Sequence, residues 1–228
     1  MLFLYKQKRC QAGYTLVELM VAVALTGIVT MSIYKSYISV STGYDVQDQV
    51  VEVQQNARVA MGRMVREIRM AGCDPSLSDF PTFLTLNSAE IGFSMDIVGD
   101  GDVNDVGENI TYKLLNNELL RTDAAGGGAR SIIKNVEALN FIYYDENSNI
   151  TVVPADVRIV QVALVVRSSN EDYAFTDNRL YSIKDLTPAG NTVDIFDAGT
   201  LSANDKHFRR QMLMAVVRPR NMSMAPVD

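Results

Sequence analysis

The sequence predicts an α+β fold, in which one long N-terminal helix packs on an antiparallel β-sheet globular domain. Two observations predict this fold. An apolar run near the start passes, without a proline, into an amphipathic helical pattern that ends near Gly72. The rest of the chain shows short alternating segments separated by turn residues and no second long helical period.

The composition excludes several classes of function. The chain has 228 residues, of which 47% are hydrophobic, so it can bury a sizeable core. Its net charge of −6 argues against binding to nucleic acid, which relies on lysine and arginine. His207 is the one histidine, and no nucleophile–base pair, phosphate loop or zinc spacing is found, so we expect no enzyme.

The first 34 residues combine a basic segment with an apolar one. Residues 1–13 hold Lys6, Lys8 and Arg9 and no acidic residue. The apolar run extends from Leu16 to Tyr34 and would form a helix of roughly 28 Å, close to the hydrocarbon thickness of a bilayer. Because the positive charges precede the run, we expect the N-terminus in the cytoplasm and the rest outside.

Glu18 is the one charged residue inside the apolar run. An ordinary signal peptide would place its cleavage site after the apolar run, at small residues, and this chain has no such site there. A simple membrane anchor explains the charge bias but not an acid in this position. A carboxylate in an apolar helix costs several kcal/mol unless it is paired, so Glu18 is predicted to be functional.

The segment KRCQAGYTLVELMVAVAL resembles the class III signal of type IV prepilins and of type II secretion pseudopilins. The resemblance implies that a prepilin peptidase cuts after Gly13 and that Tyr14, where the family usually has phenylalanine, becomes N-methylated. It also implies that Glu18 pairs, during assembly, with the free amine of a neighbouring subunit. Implied partners are other pilins, through the N-terminal helix, and the prepilin peptidase. The implied location is the bacterial inner membrane and, after processing, a pilus, the periplasm or the cell surface.

The helix is predicted to continue as an amphipathic segment over residues 44–71. Apolar side chains recur there at spacings of three and four: Val46, Val50, Val53, Ala57, Ala60, Met61, Met64 and Ile68. We expect this stripe to pack on the protein's own sheet, and a soft joint near Ser41–Gly43 remains an alternative to one continuous helix. Four arginines, Arg58, Arg63, Arg66 and Arg69, form either a solvated face or a contact surface for acidic neighbouring subunits.

The predicted organisation is therefore a leader at 1–13, a helix at 14–72 with its membrane part at 14–36, and a β-rich domain at 73–228. Seven strands are predicted: Phe83–Leu86, Ile91–Ile97, Ile110–Leu115, Glu118–Arg121, Val136–Tyr144, Arg158–Val166 and Met212–Arg218. We expect them to form one antiparallel sheet, with a smaller second layer as an alternative. The segment 168–208 is predicted to be polar and irregular.

Several stretches of the β-rich domain resemble minor pilins of the PilW type, among them VEALNFIYYDEN and RRQMLMAVVRPRNM. J-type pseudopilins of type II secretion share the same plan and are the nearest rival. The resemblance implies a minor pilin that helps to start or cap a type IV pilus. The alternatives are a pseudopilin and a membrane-tethered adhesion or binding protein that never assembles.

One acidic loop offers oxygen ligands at the spacing of a calcium loop. The candidate ligands are Asp100, Asp102, Asn104, Asp105 and Glu108. The pattern departs from such loops because Asp105 stands where glycine is wanted and Thr111 replaces the bidentate glutamate, and Asp96 could complete the shell. The interpretations are a weak Ca²⁺ site and a solvated loop between strands.

Overall fold

The structure is a computed structural model that describes residues 13–221. The chain divides into two compact units, the first ending at Gln47 and the second beginning at Asp48. One helix, α1 (Leu16–Met70), runs through the end of the first unit into the second, and all of the β-strands belong to the second. The predicted α+β fold, with one long N-terminal helix and an antiparallel β-domain, is confirmed.

The part of α1 from Leu16 to Tyr34 is apolar except for Glu18, and its side chains are exposed in the single chain. It begins at Leu16, directly after Thr15, whose hydroxyl oxygen accepts a hydrogen bond from the backbone N–H of Glu18 at 3.2 Å. Thr15 thus caps the helix at its N-terminus. The helix shows no break at Ser41–Gly43, so the soft joint considered from the sequence is not present.

In the second unit, α1 buries one stripe of small and apolar side chains. The buried residues are Val53, Ala57, Ala60, Met61, Met64 and Ile68, all of them in the predicted stripe. Val46 and Val50, which were predicted with them, are only half-buried. The helix ends at Met70, and Gly72 follows with φ +71°. Its N–H donates to the carbonyl of Ser94 at 2.9 Å, which fixes the helix exit against the sheet.

Within residues 13–221, ten strands form three antiparallel sheets. A five-stranded sheet has the order β1 (Phe83–Leu86), β2 (Glu90–Ser94), β3 (Asn109–Leu115), β4 (Glu118–Asp123) and β5 (Gly128–Lys134). A three-stranded sheet has the order β10 (Arg210–Val217), β7 (Ile159–Arg167) and β6 (Val136–Tyr144). The hairpin of β8 (Leu180–Lys184) and β9 (Thr192–Asp197) forms the third.

The main core lies where the stripe of α1 meets the five-stranded and three-stranded sheets. Its largest fully buried side chains include Tyr112, Phe93 and Leu164. The opposite face of the three-stranded sheet is covered by the β8–β9 hairpin, through Ile183 and Tyr181. Because both of its faces are covered, β7 is an almost continuous apolar strand.

The predictions for the β-domain were partly wrong. Each of the seven predicted strands overlaps an observed strand, but β5, β8 and β9 were not predicted. The segment 168–208 is not wholly irregular, since it contains the β8–β9 hairpin and two short 3-10 helices. The domain also has three sheets, where the sequence predicted one with at most a smaller second layer.

Candidate functional site

The predicted processing site lies at the very start of the helix. Gly13 and Tyr14 precede α1 in a non-helical segment, and the Tyr14 side chain is 88% exposed. A peptidase needs an extended, accessible backbone, and a helix would hide the peptide bond in its hydrogen-bond ladder. The geometry at Gly13–Tyr14 therefore suits cleavage, which remains a prediction.

Glu18 lies in the first turn of α1, and its side chain is exposed in the single chain. A carboxylate at this end of a helix interacts favourably with the helix dipole, which lowers the cost of the charge. Thr15 and Glu18 also have the spacing of a capping box, a signal that the sequence analysis missed. The helix dipole and this spacing both favour an acid at position 18, and the pairing of Glu18 with a neighbour's amine stays a prediction.

The hydroxyl groups of the apolar segment are satisfied within the helix. Thr26, Thr30 and Ser32 each donate to the carbonyl four residues earlier, at 2.7 to 2.9 Å. Such bonds remove the need for water partners, so these residues are compatible with an apolar surrounding. Among the residues that the structure describes, α1 is the one helix with a segment long and apolar enough to cross a membrane.

The acidic loop, which we define as residues 96–108 between β2 and β3, is organised around two buried carboxylates. The Glu108 carboxylate accepts hydrogen bonds from the backbone N–H groups of Ile97 at 2.8 Å, Val98 at 3.1 Å and Asp105 at 3.1 Å. This carboxylate is fully buried, so it serves as the internal anchor of the loop.

Asp96 anchors the other side of the acidic loop. Its carboxylate accepts bonds from the N–H groups of Gly99 and Gly101 and from the Ser76 hydroxyl at 2.9 Å. Burial by itself would raise the pKa of Asp96, but these hydrogen bonds outweigh it and hold the pKa below its ordinary value. Asp96 is therefore ionised at neutral pH and engaged by the protein itself.

The remaining candidate ligands point to solvent. Asp100, Asp102, Asn104 and Asp105 are exposed, and two of them accept local hydrogen bonds from the backbone two residues on. Within residues 13–221, no three histidine, cysteine, aspartate or glutamate side chains are grouped so that they could hold a metal ion. Calcium binding at this loop stays a prediction.

Two polar networks that the sequence analysis did not identify hold the domain together. The Glu67 carboxylate on α1 accepts from the Tyr112 hydroxyl at 2.7 Å and from Arg121 at 2.9 Å, which ties the helix to the five-stranded sheet. Buried Arg210 pairs with Glu137 and lies 3.6 Å from Asp177, which ties β10 to β6 and to the segment before β8. Neither network has a sequence signal, because its members are far apart in the chain.

Comparison with known proteins identifies the N-terminal segment. Residues 8–34 match the prokaryotic N-terminal methylation motif, so the chain carries a prepilin-type processing and methylation signal. A search of curated proteins found no match. Among solved structures, the chain is similar to a type IV-like pilin from Thermus thermophilus, with 12% identity, a TM-score of 0.48, and coverage of 75% of this chain and 98% of that one.

Proposed function

We propose that this chain is a structural subunit of a type IV pilus-like filament, and more specifically a minor pilin that helps to start or cap the filament. The observation that carries the proposal is the order of features at the N-terminus: the motif, the start of α1 and the acid in the apolar run. Residues 8–34 match the methylation motif, Tyr14 is exposed at the start of α1, and Glu18 is the sole charge within the apolar run. The apolar part of α1 would anchor the processed chain in the inner membrane and later pack among neighbouring subunits.

A pseudopilin of a type II secretion machine is the second candidate. It would use the same processing and the same apolar helix, and the absence of a proline before Pro75 fits either protein. A tethered adhesion protein needs the anchor but neither the cut at Gly13 nor Glu18, so the motif speaks against it.

The test is co-fractionation of the tagged full-length chain with sheared surface filaments from cells with and without prepilin peptidase. We expect the processed chain in the filament fraction only when the peptidase is present. Absence from filaments, together with a secretion defect on deletion of the gene, would replace the pilus with the secretion machine. An unprocessed chain that functions normally would contradict both.

A further inference from the structure

The last turns of α1 carry a basic groove of about 420 Å³. It is lined by Gly62, Val65, Arg66, Arg69, Met70 and Arg220. The five helical residues recur at spacings of three and one, so they share one helix face, and Val65 at the edge of this face also packs against the main core. Arginines surround an apolar floor there, and Gly62 keeps the middle open, since no atom lies within 4 Å of where its Cβ would be.

The groove differs from the four-arginine patch that the sequence suggested. Arg63 is turned away, because its guanidinium pairs with Glu67 at 3.2 Å. Arg220 joins instead, since its N–H donates to the carbonyl of Arg69 at 3.1 Å and holds the C-terminal segment against the last turn of α1. The groove thus brings Arg220 together with Arg66 and Arg69, although it lies about 150 residues away in the sequence.

The arginines of the basic groove have no ion-pair partner among the residues that the structure describes. Arg66, Arg69 and Arg220 are exposed, and none of them forms a salt bridge with a carboxylate of residues 13–221. The other arginines of the second unit include several that are paired, such as Arg121, Arg209 and Arg210. Three unpaired arginines around an apolar floor form a surface suited to a partner that offers both carboxylates and apolar side chains.

The acidic loop offers both carboxylates and apolar side chains. Asp100, Asp102 and Asp105 are exposed on it, beside Val98 and Val106, whose side chains are 65% and 71% exposed. The acidic loop therefore presents carboxylates and apolar side chains on one exposed segment. The anchors Glu108 and Asp96 hold the loop in one shape, so little entropy would be lost when it binds.

Negative charge is crowded on the acidic loop. Partial desolvation and the surrounding carboxylates raise the pKa of Asp105 above its ordinary value. These carboxylates belong to Asp100, Glu108, Asp102 and Asp96. A cationic partner would relieve this repulsion, and the chain itself carries a matching cationic surface.

We propose that the basic groove of one copy receives the acidic loop of a second copy of this chain. Arg66, Arg69 and Arg220 would face the exposed aspartates, while Val98 or Val106 would lie over Val65 and Met70. Because groove and loop are different surfaces, the contact is heterologous and joins two copies through unlike faces. It involves only the folded domain, so it holds or fails independently of cleavage at Gly13.

The test is a charge exchange between copies of the full-length chain in detergent micelles. Self-association is measured by energy transfer between donor-labelled and acceptor-labelled copies. We expect Arg66→Glu/Arg69→Glu alone and Asp102→Arg/Asp105→Arg alone each to weaken association by roughly tenfold or more, and added salt to weaken the unmodified chain. Mixing the two variants should restore association, because an acidic groove then meets a basic loop.

The matched control is Arg130→Glu/Lys184→Glu, which makes the same change in net charge at exposed positions far from the groove in sequence. It should associate like the unmodified chain. Restoration in the mixture also shows that both variants are folded. The proposal would be overturned if the groove variant associated like the unmodified chain, or if mixing the two variants did not restore association. It would also be overturned if the unmodified chain bound vesicles of anionic phospholipid through the groove and did not self-associate.

Discussion

Glu108 shows how differently one residue can be interpreted from sequence and from structure. Its position in an acidic, glycine-rich segment predicted a calcium ligand, because spacing shows which oxygens are near one another. Spacing does not show which backbone N–H groups turn inward, and three of them bind this carboxylate. The loop is thus built around a buried acid, whereas Asp100, Asp102 and Asp105 remain available to a partner.

The anchor role of Glu108 leads to a stability prediction. Glu108→Ala should lower the free energy of unfolding by about 3 kcal/mol, since it leaves backbone N–H groups in the loop without their acceptor. The exposed Asp102→Ala is the control and should change stability by less than about 0.5 kcal/mol. Urea unfolding followed by circular dichroism would measure both, and equal effects would contradict the anchor role.

The prediction for Glu18 concerns assembly. Glu18→Ala should leave membrane insertion intact or improve it, because the helix dipole offsets only part of the cost of an unpaired carboxylate in lipid. Incorporation into filaments should fall. Comparison of the variant in membrane and sheared-filament fractions measures both effects, and normal incorporation would show that no pairing is needed.

At the scale of elements, α1 could be predicted well and the sheets less so. The helix has a strong periodic signal along one stretch of chain, and the predicted stripe contains all six of its buried residues. The β8–β9 hairpin was missed because it is short and covers only the outer face of the three-stranded sheet. In β8 only Tyr181 and Ile183 are buried, whereas Leu180 and Lys184 stay exposed. Its position depends on long-range contacts that no local pattern records.

Two glycines at the end of α1 should respond to alanine with opposite signs. Gly62→Ala should raise the free energy of unfolding by up to about 1 kcal/mol, because the site is exposed, helical and open. Gly72→Ala should be destabilising, because φ is +71° and the new Cβ would lie 2.8 Å from the Thr82 hydroxyl oxygen. Thermal melts of both variants measure this, and a stabilising Gly72→Ala would contradict the described helix exit.

At the scale of the whole molecule, the charge pattern predicts how stability depends on pH. Burial alone would raise the pKa of Asp177, but hydrogen bonds from Arg179 and Tyr181 and the charge of Arg179 outweigh it, so the pKa is lowered. Local hydrogen bonds also lower the pKa of Asp185 and Asp145. An aspartate whose pKa is lower in the folded chain than in the unfolded chain stabilises the fold when it is ionised. This stability is fully present above the pKa of the unfolded chain, about 3.9, and is lost as the pH falls through the pKa of the folded chain.

We therefore expect the melting temperature to fall as the pH drops below about 4. Asp105 has a raised pKa, so its ionised carboxylate lowers the stability of the folded state at pH 7. Asp105→Asn removes this charge and should stabilise the protein at pH 7. Asp177→Asn should lower stability at pH 7 and flatten the acid limb of the curve. Melting curves from pH 7 to pH 3 would test both, and a curve unchanged by Asp177→Asn would refute the assignment.

The central claim is that the chain is a processed, filament-forming subunit, and N-terminal mass spectrometry of the membrane form tests it most directly. The methylation motif at residues 8–34 and the exposed segment at Gly13–Tyr14 predict a mature chain that begins at Tyr14 with a methylated amine. In cells without the peptidase, residues 1–13 should be retained. A mature chain that begins after residue 30, or one that keeps residues 1–13 in the presence of the peptidase, would contradict the account.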